Sequence, residues 1–163
     1  MENGILSWVP DCWKKDDMSA HSWCQRIELE RTCEEFEQIQ YEIRRATLDI
    51  KKHIRCIERN QSIYDLGQFL IRGQLLMTLK PFTSYYKVRR YIKIKANYLT
   101  AALNYNVDYR RCGLSSVVFN SFIPNMTNGD ILLVIQVITS EPQSSYITPS
   151  NSSDYYIEYI VRF

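Results

Sequence analysis

The stretch "SYYKVRRYIKIKA", residues 84–96, decides the fold, because it is where the chain stops reading as helix and starts reading as sheet. In an extended chain, alternate side chains point to opposite faces, so Tyr85, Lys87, Arg89, Tyr91, Lys93 and Lys95 share one side. Tyr86, Val88, Arg90, Ile92 and Ile94 share the other. One side is cationic and aromatic and the other mostly apolar, which predicts a β-strand with one face available to partners.

Toward the C-terminus, Tyr, Val, Ile and Thr continue in short alternating runs, and strands are expected near 84–96, 114–123, 130–139 and 155–163. Residues 98–105 fit either a strand or a short helix. "GDILLVIQVI" has almost no polar interruption and predicts a central strand covered on both sides. Asn128-Gly129 between two apolar runs predicts a hairpin that pairs 114–123 with 130–139. In "YYIEYIVRF", Tyr155, Ile157, Tyr159, Val161 and Phe163 alternate, so the C-terminal strand is expected inside the sheet. The segment between the last two strands, "SEPQSSYITPSNSSD", is Ser/Pro/Asn-rich and predicts a mobile loop.

Toward the N-terminus, Ser62 and Asp65 have capping-box spacing, and Ile63, Leu66, Phe69, Leu70, Leu76 and Leu79 follow a helical rhythm up to Pro81. From Ser19 to Asn60 there is no Gly or Pro, and Leu29, Phe36, Ile43, Ile50 and Ile57 recur every seven residues, which predicts one long helix. With Leu29 as an a position, the d positions Thr32, Ile39, Ala46 and His53 make a thin seam. The g positions Glu35, Glu42 and Asp49 are all acidic. Self-association of this helix and packing on its own sheet both remain open. Residues 1–18, with Trp8 and Trp13 around Pro10, read as an arm that docks on its own domain or on a neighbour's. The predicted fold class is therefore α+β: arm 1–18, helical region 19–80, and a mostly antiparallel sheet of four to five strands over 81–163, packed with the helices as one domain.

The chain of 163 residues is 45% apolar and 23% charged, which fits one folded domain and excludes wholesale disorder. No apolar run is long enough to span a membrane, and "MENGILSWVPDCWKKDD" lacks the form of a signal peptide. Five cysteines without a CxxC predict reduced thiols and a cytosolic or nuclear setting. The net charge of +2 conceals segregation: residues 1–50 hold 6 Lys/Arg against 11 Asp/Glu, 51–112 hold 13 against 3, and 113–163 hold 1 against 4. A concentrated cationic middle bears on partners rather than on fold.

Enzymatic signatures are missing: two histidines, no GxSxG, no phosphate-binding glycine loop and no HExxH. Cys12, His21, Cys24 and Cys33 have zinc-ligand chemistry, but their spacing fits no knuckle or finger, so no metal, no cofactor and no small-molecule substrate are expected. The coherent signal is the basic strand, with Lys87, Arg89, Arg90, Tyr91, Lys93 and Lys95, extended by Arg110 and Arg111, as a polyanion-binding face. Trp8, Trp13, Leu29, Phe36 and Ile43 are the expected self-association residues. An acidic N-terminal third facing a cationic middle third would favour either head-to-tail contacts between subunits or compensation within one molecule.

In layout, with "ILSWVPDCWKK", "YYKVRRYIKIK" and "GDILLVIQVI" in this order, the chain resembles the small matrix proteins of negative-strand RNA viruses, the plant rhabdovirus ones being nearest in size. The resemblance implies a non-enzymatic protein of virion and host cytoplasm that self-assembles and contacts nucleocapsid ribonucleoprotein and anionic membrane. The alternative is an RNA-binding viral regulator, a silencing suppressor or movement accessory, acting as monomer or dimer.

Overall fold

In the computed structural model, which describes residues 9–14, 24–47 and 52–163, the expected helix over 19–60 is three elements instead of one. Strand β1 spans Cys24–Glu28, helix α1 Glu34–Ala46 and strand β2 Cys56–Ser62. The cause is visible in the pairing: β1 lies antiparallel to β2 from Cys24↔Ser62 to Glu28↔Glu58. The period-seven apolar residues are thus divided among elements. Phe36 and Ile43 line one stripe of α1, while Leu29 precedes that helix and Ile57 sits in β2. A glycine-free, charge-rich run is permissive for helix, and tertiary pairing overrode it. Cys33 caps α1, its Sγ accepting from Phe36 N at 3.4 Å.

Helix α2, Ile63–Leu79, begins as expected at Ser62, whose Oγ accepts from Asp65 N at 3.3 Å, and stops just before Pro81. Strand β3 follows at Tyr86–Lys95, then a 3-10 turn at Ala96–Tyr98 and helix α3 at Leu99–Asn104, which resolves the 98–105 ambiguity in favour of helix. The remaining strands are β4 Phe119–Asn120, β5 Asp130–Thr139, β6 Tyr146–Ile147 and β7 Tyr155–Arg162. They form one seven-stranded sheet in the order β1-β2-β7-β5-β3-β4-β6, wider than the four to five strands expected, and every strand pairing in it is antiparallel.

β5 is central, as "ILLVIQVI" implied, with seven residues from Ile131 to Val137 in or bordering its core and only Gln136 partly exposed among them. The hairpin expectation fails. Asn128-Gly129 does form a turn, with Gly129 at φ 82, but the run before it is displaced. β3 pairs with β5 along ten residues, from Tyr86↔Thr139 to Lys95↔Asp130, leaving β4 a single pairing, Tyr91↔Asn120, on the far side of β3. A ten-residue ladder outcompetes a two-residue strand with Pro124 four residues beyond its end.

The alternation expected in β7 is broken as well. The register between β5 and β7 shifts from Val134↔Tyr159 to Ile135↔Ile157, so Glu158 is a bulged extra residue. Tyr155, Ile157 and Ile160 therefore belong to one core cluster, while Tyr159 and Val161 belong to another. The first cluster fills the face under α3 and the 105–117 turn. The opposite face is covered by α1 at one end of the strands and by α2 at the other, where Leu66, Phe69 and Leu76 meet Ile138, Tyr156, Val9 and Trp13. The predicted loop 140–154 is structured. It contributes β6 and a 3-10 turn at Ser152–Asp154 with a capping box, and Arg72 Nε donates to Asp154 at 2.7 Å.

The division of 19–60 has a direct test. Ile57 is fully buried in β2 and Tyr41 is 61% exposed on α1. Ile57→Ala is expected to cost about 2–5 kcal/mol and Tyr41→Ala less than about 0.5 kcal/mol in urea unfolding.

Candidate interaction surfaces

Two rows of charge meet on the helical face of the sheet. On β3, Arg89 stands between Lys87, whose Nζ lies over the Phe69 ring at the α2 end, and Tyr91, which packs in the α1 cluster. Its Nε and Nη2 donate to the two carboxylate oxygens of Glu158, each at 2.8 Å, and its Nη1 donates to Glu42 at 2.9 and 3.0 Å. The bulge matters here, because it turns Glu158 toward the helical face. Beside this cluster, Arg59 donates to both oxygens of Glu35 and to Gln61, and Tyr159 Oη donates to Glu35 at 2.7 Å. Burial alone would lower the Arg89 pKa, but Glu158 and Glu42 outweigh it and hold the guanidinium above its ordinary range.

The expected cationic face is therefore open only in part. Arg89 is consumed by two glutamates, and Arg90 points to the other side of the sheet, 8% exposed, where it donates to Pro142 O at 2.6 Å and Ser144 O at 3.2 Å. Tyr91 is buried, and burial pushes its hydroxyl up to about 12. Lys95 Nζ is 2.5 Å from Asp130 and Lys93 Nζ is 3.8 Å from the same carboxylate, also donating to Asn125 O. Lys87 remains exposed, as does most of the Lys95 side chain despite its pairing. The acidic row Glu35 and Glu42, which lacked partners in a heptad reading, finds them on β2 and β3: the segregated charges compensate within one molecule.

The expected self-association residues fare similarly. Leu29, Phe36 and Ile43 lie in the molecule's own core, and Trp13 is 6% exposed against α2 and β7. Gln61 pins that arm with two bonds to Lys14, accepting from its N at 3.0 Å and donating to its O at 3.1 Å. Trp8, like His21, lies outside the described residues.

What is exposed was not anticipated. On α2, Leu66, Phe69, Gly73 and Leu76 face inward, and Tyr64, Gln68, Ile71, Leu75 and Thr78 form a 4-3-4-3 row on the outward side. Tyr64 is 62%, Ile71 59% and Leu75 47% exposed. The signal in the sequence was the scarcity of charge: Asp65 and Arg72 are the charged residues of this helix, and Arg72 is paired inward. A helix with apolar residues on both sides is only weakly amphipathic, so its pattern marks no second face. At its last residue Leu79 is 71% exposed, and just past it Phe82 is wholly exposed. Among the described residues no helix is long and apolar enough to cross a membrane, and no three His, Cys, Asp or Glu side chains are placed to hold a metal ion.

Of the two remaining expected cations, Arg110 pairs with Asp108 at 2.9 Å and keeps 72% of its side chain exposed, and Arg111 is exposed with its guanidinium 3.9 Å from the Tyr105 ring centre. They belong to the turn after α3, away from the β3 cations. No family model and no curated protein sequence matches the chain.

Asp130 supplies a pH test. Burial would raise its pKa, but Lys95 and the N–H and hydroxyl of Thr127 outweigh burial and hold it well below the usual carboxylate range. A depressed folded pKa stabilises above the unfolded value, about 3.9, and this contribution is lost as pH falls from there toward the folded pKa. Asp130→Asn is expected to lower stability at neutral pH by about 1–3 kcal/mol and to flatten the fall in stability below about pH 4, measured by denaturation across pH.

Proposed function

We propose that this protein is a non-enzymatic structural protein of the viral matrix type, acting in virion and host cytoplasm, and that it associates with copies of itself through α2. The outward row of α2 carries the proposal. Spacing of four and three residues is the spacing by which one helix packs against another. The row contains no charge, so a two-fold related copy meets it without like-charge repulsion. Full cover of the Tyr64 and Phe82 rings alone would bury roughly 300–400 Å², and Ile71, Leu75 and Leu79 carry the patch toward the ~800 Å² per partner of a stable interface. Gln68 at the seam supplies one polar pair that would fix register. The non-enzymatic reading is supported by the thiols Cys12, Cys56 and Cys112, whose pKa values burial pushes upward, and by a carboxylate cluster whose members are already bonded to arginines.

Sedimentation velocity at rising concentration tests this. The unmodified chain should form dimers or larger species, and Ile71→Asp with Leu75→Asp, both at exposed positions, should leave a folded monomer. A monomer at high micromolar concentration before any substitution would remove the proposal. A single discrete dimer that does not grow would favour the RNA-binding regulator over the matrix reading.

A second reading, contact with anionic membrane, is favoured by the turn between α2 and β3. Phe82 is fully exposed there, with Leu79 and the half-exposed Tyr86 nearby and Lys80 and Lys87 on either side. An apolar tip ringed by cations is the form that inserts at a lipid headgroup boundary. Co-sedimentation with phosphatidylserine vesicles should fall by several-fold in Phe82→Ser and in Lys80→Glu with Lys87→Glu, and vesicles of neutral phosphatidylcholine should bind weakly throughout.

A further inference from the structure

The turn "YNVDYRR", Tyr105–Arg111, lies on the sheet face opposite α2, with Val107 and Cys112 inserted into the core under it. It is held in a costly conformation. Asn106 and Val107 are consecutive residues with positive φ, 46 and 59, and a β-branched residue there is strained by about 1–3 kcal/mol. The surroundings fix it: Asn106 Nδ2 donates to Ser152 O at 2.8 Å and Tyr155 O at 3.0 Å, and Tyr155 Oη donates back to Asn106 O at 2.7 Å. These bonds tie the turn to the segment before β7 and leave a cleft of about 710 Å³ between them, walled by Tyr105, Asp108, Tyr109 and Arg110 on one side and by Thr148–Ser152 on the other.

Tyr105, Tyr109 and Arg110 at this rim, and the adjoining Arg111, stay at the surface. Tyr105 is 49% and Tyr109 44% exposed. Each ring has an arginine against it, Arg111 at 3.9 Å from Tyr105 and Arg110 at 5.8 Å from Tyr109. The one carboxylate of the turn, Asp108, takes Nε and Nη2 of Arg110, so the guanidinium is oriented while the side chain stays 72% exposed. This differs from β3, where carboxylates close off the arginine.

From this geometry we infer that the Tyr105–Arg111 turn and its cleft bind single-stranded nucleic acid, the bases stacking on Tyr105 and Tyr109 and two phosphates meeting Arg110 and Arg111. Half-exposed rings, each backed on one side by a guanidinium, select unstacked bases for the remaining side, because a duplex presents none. Ser152 in the far wall has a hydroxyl suited to sugar or phosphate oxygens, while that of Ser150 is given to Asp154 at 3.0 Å. The site is separate from the α2 seam and does not depend on it.

Fluorescence anisotropy of a labelled oligouridine strand tests the inference. With two phosphates contacted, log K should fall against log salt with a slope of about −1.4, or about seven-fold between about 50 and 200 mM salt. Tyr109→Ala should weaken binding about five-fold or more. Arg110→Glu with Arg111→Glu should abolish it. Asp108→Asn should tighten it several-fold by freeing Arg110, a gain that misfolding cannot mimic. Duplex RNA should bind more weakly than the single strand. Three outcomes would overturn the site: no binding at low salt, duplex bound as tightly as single strand, or loss caused by Lys80→Glu with Lys87→Glu but not by the arginine pair. Sedimentation of the same samples reports α2 association independently.

Discussion

Arg89 and the bulge that serves it set the terms for the rest of the molecule. A guanidinium on a central strand, facing the side that two helices cover, must be paired or the sheet cannot be closed over it. Glu158 reaches it because one extra residue in β7 rotates that side chain onto the helical face, and Glu42 reaches it from α1. The same bulge divides β7 between two cores, sending Tyr155 and Ile157 to one side and Tyr159 and Val161 to the other. One interaction thus fixes the register of β7 on β5, the seat of α1 and the polar strip between the two helices. The adjoining Arg59–Glu35–Tyr159 group extends that strip to β2.

This pairing also decides what the surface can offer. Positive charge concentrated in one third of a chain reads as a polyanion site only if the folded molecule leaves it unanswered. Here α1 carries Glu35 and Glu42 to the arginines, and Asp130 sits between Lys93 and Lys95. Much of the electrostatic segregation is answered within the fold, and the surfaces proposed for interaction lie elsewhere: the uncharged outward row of α2, the Phe82 turn and the tyrosine-arginine turn after α3. A helix apolar on both sides stands apart in a protein whose other exposed surfaces are mostly polar, which is why α2 carries the functional proposal.

Some of this was legible in the residues. α2 was readable at both ends, through Ser62 and Pro81, because caps and breakers act locally. β5 was readable as central because a nearly uninterrupted apolar strand has no solvated side. The α+β class followed from the change of texture at Pro81. Over 19–60 a sequence without glycine or proline permits helix throughout, and only pairing of β1 with β2 shows where the helix stops. The outer face of α2 escaped notice since periodicity identifies a buried side only when a polar one contrasts with it.

By itself, then, the sequence determined composition-level facts and locally encoded ones: the strand-forming residues of β3, β5 and β7, the limits of α2, and the presence of cations and tyrosines able to meet phosphate. The tertiary structure alone decided which of those cations are answered, which side of the sheet each faces, and which apolar surface remains uncovered. The physical reason is that charge pairing and strand register are long-range: Arg89 and Glu158 stand 69 residues apart, and a single bulged residue reverses the facing of every side chain that precedes it in β7.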